Sequence, residues 1–265
     1  MLNDNVVVIT GASKGIGAEL ARQLAARGAK LVLAARNLAE LDAVAEECRK
    51  SGAPVVTVKA DVALDRDCQA VIAGAVLAFG RVDTLVNNAG MSMWARFEEI
   101  RDVSVLERIM QVNYMGAVYC TSHALPYLRE SRGRLVGISS LAGRTGVPTR
   151  TGYAASKHAM TGFFDSLRIE LEGSGVSVTM IYPGFVATGI RENATGPDSM
   201  PILVSPVREG AVMMTSRSRR SMAATMRRAH SSTPITSPSF TGLTRIGMPS
   251  GPVAFSRMPV ATKPG

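Results

Sequence analysis

Tyr153 and Lys157, in the run Tyr-Ala-Ala-Ser-Lys, stand four residues apart. On a helix that spacing stacks two side chains on one face, about one turn from each other. A phenol alone is a poor proton carrier at neutral pH, because its ordinary pKa is about 10. An ammonium held nearby favours the phenolate and lowers that value. A tyrosine tuned in this way passes a proton near physiological pH. Taken alone, the pair reads at least as readily as a surface Tyr and Lys on an ordinary helix. Its meaning depends on the other stretches of the chain.

A second stretch is Thr10-Gly11-Ala12-Ser13-Lys14-Gly15-Ile16-Gly17, directly after the apolar run Val6 to Ile9. A continuous apolar run of this kind suits a strand buried on both faces of a parallel sheet. A helical pattern through Ile16, Leu20 and Leu24 follows and stops at Gly28, a good C-terminal signal. Strand, glycine turn and helix together make a phosphate-binding unit. The glycines let the backbone approach a pyrophosphate, and the helix N-terminus offers N–H groups and a positive dipole end. The spacing is Gly-x-x-x-Gly-x-Gly, and the same residues taken alone also suit a plain tight turn.

The rest of the chain supplies elements to position these residues. Strand-like runs at Leu31–Leu33, Val55–Val58, Leu85–Val86, Arg134–Ile138 and Val178–Ile181 alternate with helical patterns. The helices are expected at Leu38–Lys50, Asp67–Phe79 and Val105–Leu128, with a last one from Tyr153 to about Glu172. Such alternation implies a doubly wound parallel sheet in a three-layer α/β/α arrangement. The second strand ends Ala34-Ala35-Arg36, where an NAD-binding fold of this type places an acid on the ribose 2′-hydroxyl. Arg36 is suited instead to a 2′-phosphate through its planar fork, with Lys14 as a second candidate. The other reading of Arg36 is a solvated side chain. In Ala60-Asp61-Val62, the Asp61 carboxylate is placed to take an adenine amino group.

Composition narrows the possibilities. No apolar run approaches the roughly 18 residues of a membrane span. The opening Met-Leu-Asn-Asp-Asn leaves no room for a signal peptide ahead of the first strand. Cys48, Cys68 and Cys120 are far apart without Cys-x-x-Cys spacing, which argues for a reducing, cytoplasmic setting and against a disulfide framework. His123, His158 and His230 have no metal-ligand spacing, so no metal is expected. The net charge of +9 is concentrated at the end of the chain: residues 206–265 hold nine Lys/Arg and a single acid, Glu209. This segment also holds 23 Ser, Thr or Pro and one Leu, Leu243. So little apolar surface does not offset the entropy of ordering the chain. The expected division is therefore a catalytic domain at 1–205 and a basic, poorly ordered segment at 206–265. Its arginines form no sustained stripe and only Phe240 and Phe255 are available to stack on bases, so no nucleic-acid partner is expected.

Taken together, these motifs resemble the short-chain dehydrogenase/reductase family. The matching residues are Thr10-Gly-x-x-x-Gly-Ile-Gly17, Asn87-Asn-Ala-Gly90, Asn113, Ser140, Tyr153-x-x-x-Lys157, and Pro183-Gly184 with Thr188. They cover residues 5 to about 190, with Ser140 thirteen residues before Tyr153. Ser139 to Arg144 and Gly162 to Arg168 are similar to the branch that includes hydroxysteroid dehydrogenases. The resemblance implies a Rossmann-type fold and an oxidoreductase moving hydride between nicotinamide and a carbonyl or secondary alcohol. Tyr153 would carry the proton. Lys157 would lower the Tyr153 pKa and hold the nicotinamide ribose, and Ser140 would hydrogen-bond the substrate oxygen. Asn113 would break its helix and hold a relay water. The cofactor would lie on Gly11, Ser13, Lys14, Gly15, Ile16 and Gly17, on Arg36, Asp61 and Val62, and on Asn87, Ala89 and Gly90. Pro183, Gly184, Val186 and Thr188 would complete its site together with Tyr153 and Lys157.

Arg36 and Lys14 favour NADP(H) over NAD(H) in this reading. The substrate pocket would be lined by Met91 to Trp94 and a lid around Phe185 to Pro201, which suits a small hydrophobic carbonyl or alcohol. The resemblance also implies a homodimer or homotetramer, with the broad apolar arc of the Tyr153 helix and the long helix carrying Asn113 as the faces buried between subunits. The chain departs from the family pattern at residues 206–265. The competing expectation is a nucleotide-binding protein of the same fold with impaired catalysis.

Overall fold

A computed structural model describes residues 2–184, 186, 190 and 194–197. Residues 206–265, Thr188 and most of the expected lid lie outside the described residues.

The first strand, β1 (Val6–Thr10), is buried along its whole length. Its side chains alternate between two cores, as a strand sandwiched between helical layers requires. Val6 and Val8 join one hydrophobic cluster and Val7 and Ile9 the other. The chain continues through α1 (Gly15–Ala25), β2 (Lys30–Ala35), α2 (Leu38–Lys50), β3 (Val55–Lys59), α3 (Asp65–Phe79) and β4 (Thr84–Asn87). Then follow α4 (Ser104–Met110), α5 (Gly116–Ser131), β5 (Arg134–Ile138), α6 (Thr151–Glu170) and β6 (Ser177–Ile181). The six strands are parallel in the order β3-β2-β1-β4-β5-β6. The order reverses beside β1, where a doubly wound sheet opens a crevice at the carboxyl ends of its strands. This is the Rossmann-type arrangement the alternation predicts.

One layer packs α3, α5 and α6 on the sheet through Ile72, Leu128 and Phe164. The other packs α1 and α2 through Ala18, Ala21, Leu41 and Val44. The short side chains of α1 let it lie close to the sheet, which brings its N-terminus to the end of β1. Phe164 is fully buried beside Gly137 and Met180, and a Cβ at Gly137 would meet the Phe164 ring at 3.0 Å.

The expected continuous helix over Val105–Leu128 is interrupted. A π turn, Gln111–Met115, separates α4 from α5 and carries Asn113. Single π turns inside α-helices are frequent at functional sites. Asn37 caps α2 by accepting from the Glu40 N–H at 3.3 Å, and Gly80 ends α3 in the left-handed region at φ 73°, as its position after the apolar pattern predicts. Among the described residues no helix is long and apolar enough to cross a membrane.

Candidate active site

The glycine turn between β1 and α1 is fastened to the turn after β4. Thr10 Oγ1 accepts from the N–H groups of Asn88 and Ala89, each at 3.1 Å. Asn88 Nδ2 donates back to the carbonyls of Thr10 and Gly11 at 2.9 and 3.0 Å. The two turns are too close for side chains. A Cβ on Gly11 would lie 2.8 Å from Ala89 Cα, and one on Gly17 would collide with Gly11 O and with Asn88 Nδ2. Gly11 and Gly15 also sit at positive φ, 64° and 57°, which only glycine adopts freely. No side chain caps α1 and no acid stands in its first turn. An anion therefore meets open N–H groups and the positive dipole end there. Ser13 and Ile16 are half-buried in this turn. This cradle fits a dinucleotide pyrophosphate.

Asn87, at the end of β4, points into the protein. Its Nδ2 donates to Thr121 Oγ1 at 3.1 Å, and its Oδ1 is buried without a protein partner. Gly90 is exposed, and a Cβ there would lie 3.3 Å from Asn113 Oδ1 and 3.5 Å from Lys157 Nζ. The missing side chain keeps that corner open.

Asn113 is 1 % exposed and fully bonded. Its Oδ1 accepts from Met91 N–H at 2.8 Å, and its Nδ2 donates to Met91 O and Ser156 Oγ, both at 2.9 Å. The amide thus ties the π turn to the 90–91 turn and to α6. Lys157 Nζ donates to Ile138 O at 2.9 Å and lies 5.9 Å from the centre of the Tyr153 ring. Burial pushes the Lys157 pKa down to about 8. Ser140 is half-buried just past β5, accepts from Ala142 N–H at 3.2 Å and hydrogen-bonds Tyr153. The structure thus brings Asn113, Ser140, Tyr153 and Lys157 to one end of the sheet.

The electrostatics of Tyr153 differ from the expectation. Burial raises the phenol pKa above its ordinary value, while the Ser140 hydrogen bond and the positive charge of Arg150 oppose that rise. The expected lowering by Lys157 is not the one found. The ammonium is bonded to a main-chain carbonyl beyond the ring, and its own charge is disfavoured by burial.

At the far end of the crevice Arg36 is exposed, next to the buried Ala35. Burial opposes ionisation of Asp61, but the Ala63 N–H and Arg108 hold its carboxyl below its ordinary range, with Arg36 the smallest contributor. Asp61 is also engaged directly. It accepts from Arg108 Nη2 at 2.7 Å and from Ala63 N–H at 3.1 Å. Lys14 forms an ion pair with Glu40 at 2.7 Å, so part of the positive charge expected beside a 2′-phosphate is already balanced. Val62 is buried under Gly116, where an added Cβ would approach it to 2.8 Å. Pro183 O accepts from Leu141 N–H at 3.1 Å, which holds the Pro183-Gly184 turn against the Ser140 loop. Val186 is half-buried.

A cleft of about 580 Å³ opens beside Met91 and α4. Its walls include Asp102, Glu107, Arg108 and Gln111, more polar than the apolar pocket expected from Met91 to Trp94. Sequence reasoning missed Arg108, Ser156 and Arg150, because each meets its partner across elements distant in the chain. Among the described residues no group of His, Cys, Asp and Glu is placed to hold a metal ion, and the three cysteines are free and buried.

A doubly wound sheet with this turn and this Tyr–Lys pair defines a dinucleotide-binding α/β protein. The family signature described as "short chain dehydrogenase" matches residues 5–198, and the chain belongs to the short-chain dehydrogenase/reductase family. It is 43 % identical over 198 residues to 11-beta-hydroxysteroid dehydrogenase-like 4A of Arabidopsis thaliana, covering 74 % of this chain and 64 % of that one. It is 46 % identical over 188 residues to 11-beta-hydroxysteroid dehydrogenase A of Sesamum indicum, covering 71 % and 54 %. The chain thus spans less than two thirds of the length of these curated relatives. Among solved structures it resembles a short-chain dehydrogenase/reductase from Burkholderia phymatum in complex with NAD. That match has a TM-score of 0.70 and 32 % identity, over 72 % of this chain and 69 % of that one. An alcohol dehydrogenase from Thermococcus sibiricus complexed with 5-hydroxy-NADP matches with a TM-score of 0.67 and 29 % identity, over 76 % and 82 %.

The burial of Lys157 predicts a pH-dependent stability. With the folded pKa at about 8 against an ordinary 10.5, the unfolded chain binds more protons between those values. Stability contributed by this group therefore rises with pH across that window, and the cost is fully present below it. Lys157→Met removes the charge and the bond to Ile138 O. It is expected to stabilise the cofactor-free protein by about 1–3 kcal/mol near neutral pH. Urea midpoints measured through the window should show that advantage shrinking as the pH approaches the unfolded value. A constant difference would place the charge cost elsewhere.

Proposed function

We propose that the protein is an NADP(H)-dependent oxidoreductase that moves hydride between nicotinamide and a small hydrophobic carbonyl or secondary alcohol. The observation that carries this reading is the convergence of Tyr153, Ser140, Lys157 and Asn113 beside an open glycine cradle. Hydride chemistry belongs to the nicotinamide, and the protein supplies placement and proton transfer. In reduction Tyr153 donates its phenolic proton to the carbonyl oxygen, and in oxidation the phenolate takes it back. Ser140 hydrogen-bonds that same oxygen and stabilises the charge developing on it. Lys157 supplies donors to the nicotinamide ribose from a buried position. Asn113 holds the π turn against α6, which keeps the relay path at the base of the site in place. Gly11 to Gly17 would hold the pyrophosphate, Asn87 to Gly90 the floor, and Pro183, Gly184, Val186 and Thr188 the nicotinamide side.

Replacing Tyr153 with Phe tests the acid–base role. Turnover of a ketone panel with NADPH should fall by about 10² to 10⁴, with NADPH affinity nearly unchanged in a fluorescence titration. A Phe variant retaining more than about a tenth of wild-type turnover would remove Tyr153 from the role. A wild-type protein that binds NADPH but turns over none of the panel would instead support the competing reading, a nucleotide-binding member of the family with impaired catalysis.

The cofactor preference rests on Ala35 and Arg36. Ala35 presents no acid to repel a 2′-phosphate, and Arg36 is exposed beside it. Lys14 contributes less than its position suggests, because Glu40 pairs with it. A charged hydrogen bond to the phosphate is worth roughly 1.5–3 kcal/mol, or about tenfold to a hundredfold in affinity. The ratio of kcat/KM for NADPH over NADH should therefore favour NADPH, and should invert in an Ala35→Asp, Arg36→Gln double variant. Equal efficiency with both cofactors in the wild type would leave Arg36 a solvated residue.

The same reading includes a homodimer or homotetramer. On α6, Ala155 is exposed, Phe163 is half-buried and Ile169 is 66 % exposed. Ala155 and Ile169 lie outside the hydrophobic clusters, and Phe163 packs at the edge of the one around Phe164. Sedimentation at micromolar concentration should show a species at least twice the 28.0 kDa chain mass. A monomer would contradict it.

A further inference from the structure

Arg150, the residue before α6, faces the site and has not been given a role. One of its guanidinium nitrogens, Nη1, donates to Ser92 Oγ in a short hydrogen bond, and Ser92 is 1 % exposed. The guanidinium also lies over the Trp94 ring at 4.5 Å and over the Tyr153 ring at 5.8 Å. The contacts with Ser92 and Trp94 thus place the guanidinium beside the Tyr153 ring. The backbone that aims it is strained. Thr149, a β-branched residue, sits at φ 64°, a region such residues rarely adopt, and its carbonyl accepts from Ala95 N–H at 3.1 Å. Strain of this kind persists only where the surroundings over-determine it.

Among the described residues, the other charged groups on elements packed against Tyr153 have partners or positions of their own. On α4, Arg108 bonds Asp61 and Glu107 is exposed. Past the 91–95 loop, Arg96 pairs with Glu98. Beyond the Ser140 loop, Arg144 lies over the Tyr182 ring at 4.9 Å. Lys157, on α6 itself, stands as far from the phenol ring as Arg150 does, at 5.9 Å, but with its pKa pushed down to about 8 it has lost its charge by the pH at which a phenol ordinarily titrates. A guanidinium keeps its charge at any working pH.

We propose that Arg150 is a positioning residue for the proton-transfer step, holding a permanent positive charge against Tyr153 and so favouring its phenolate. Arg150 acts through Tyr153 and need not touch the substrate. The opposing influence of Arg150 on the buried phenol agrees with this geometry. The inference rests on the reading of Tyr153 as the proton carrier, yet its test needs neither cofactor nor substrate.

The phenolate absorbance of Tyr153 is isolated in the full-length protein by subtracting the titration of the matching Tyr153→Phe variant. The subtraction is made in the wild type, in Arg150→Gln and in Arg150→Lys. With the 5.8 Å to the ring centre taken as the charge separation, a unit charge shifts a pKa by about 0.5 unit in a water-like medium and about 2 units at an effective dielectric constant near 20. The Gln variant should therefore titrate at least about 0.5 unit above the wild type, and the Lys variant should stay near it. If Gln does not fold, Arg150→Met keeps the stem over Trp94 and lacks the charge. A shift smaller than about 0.5 unit in the neutral variant, or an equal shift in the Lys variant, overturns the proposal. Retained turnover in Tyr153→Phe would overturn the acid–base reading without altering this titration, so the two failures are distinguishable.

Discussion

The site depends on one fastening, between the turn that leaves β1 and the turn that leaves β4. A parallel sheet has no hairpins, so neighbouring strands emit their loops with nothing local to hold them together. Here Thr10 and Asn88 do so with four hydrogen bonds across 78 or so residues of chain. Their short reach forces the two turns into contact, and that contact in turn demands glycine at positions 11 and 17. The glycines are therefore a consequence of the pairing as much as a provision for a ligand.

From that fastening the rest of the site is reached by two further cross-links. Asn113 joins the β4 turn to the middle of the α4–α5 segment and to Ser156 on α6. Lys157 joins α6 to the end of β5 through Ile138 O. Each cross-link uses a polar side chain that is almost wholly buried, so each carries a desolvation cost that a hydrophobic residue would not. The chain offsets that cost with full hydrogen bonding at Asn113, and only in part at Lys157, whose charge remains disfavoured. The most strongly perturbed amine in the described protein is thus also the one best placed to respond to its surroundings.

The strand and helix succession was legible in the sequence because buried parallel strands read as short apolar runs and their helices end at glycines. Gly28 and Gly80 both stop helices where the pattern places them. The grouping of Tyr153, Lys157, Ser140 and Asn113 was legible through the resemblance of their order and spacing to the family pattern. What escaped was the set of partners each group meets. Nothing near Lys14 in sequence announces Glu40, and nothing near Asp61 announces Arg108. These pairs form because helices from different parts of the chain end at the same edge of the sheet. The source of the charge on Tyr153 escaped for a similar reason. The i, i+4 spacing pointed to Lys157, whereas Arg150 reaches the ring from the helix entrance after anchoring on the 91–95 loop.

The π turn at Gln111–Met115 works as an indexing step. A regular α-helix advances about 100° per residue, so a turn holding one extra residue rotates everything downstream by about that angle relative to everything upstream. Upstream, α4 presents Val105 and Ile109 to the cluster around Tyr153. Downstream, α5 presents Cys120, Ala124 and Leu128 to the layer beneath α3. One continuous rod thus serves two separate hydrophobic surfaces, with Asn113 at the point where the phase changes. Seen this way, the segment tolerates exchange of its side chains more readily than any change in their number. Removing a single residue between Met110 and Gly116 would keep every local helical preference and yet turn one of the two surfaces toward water.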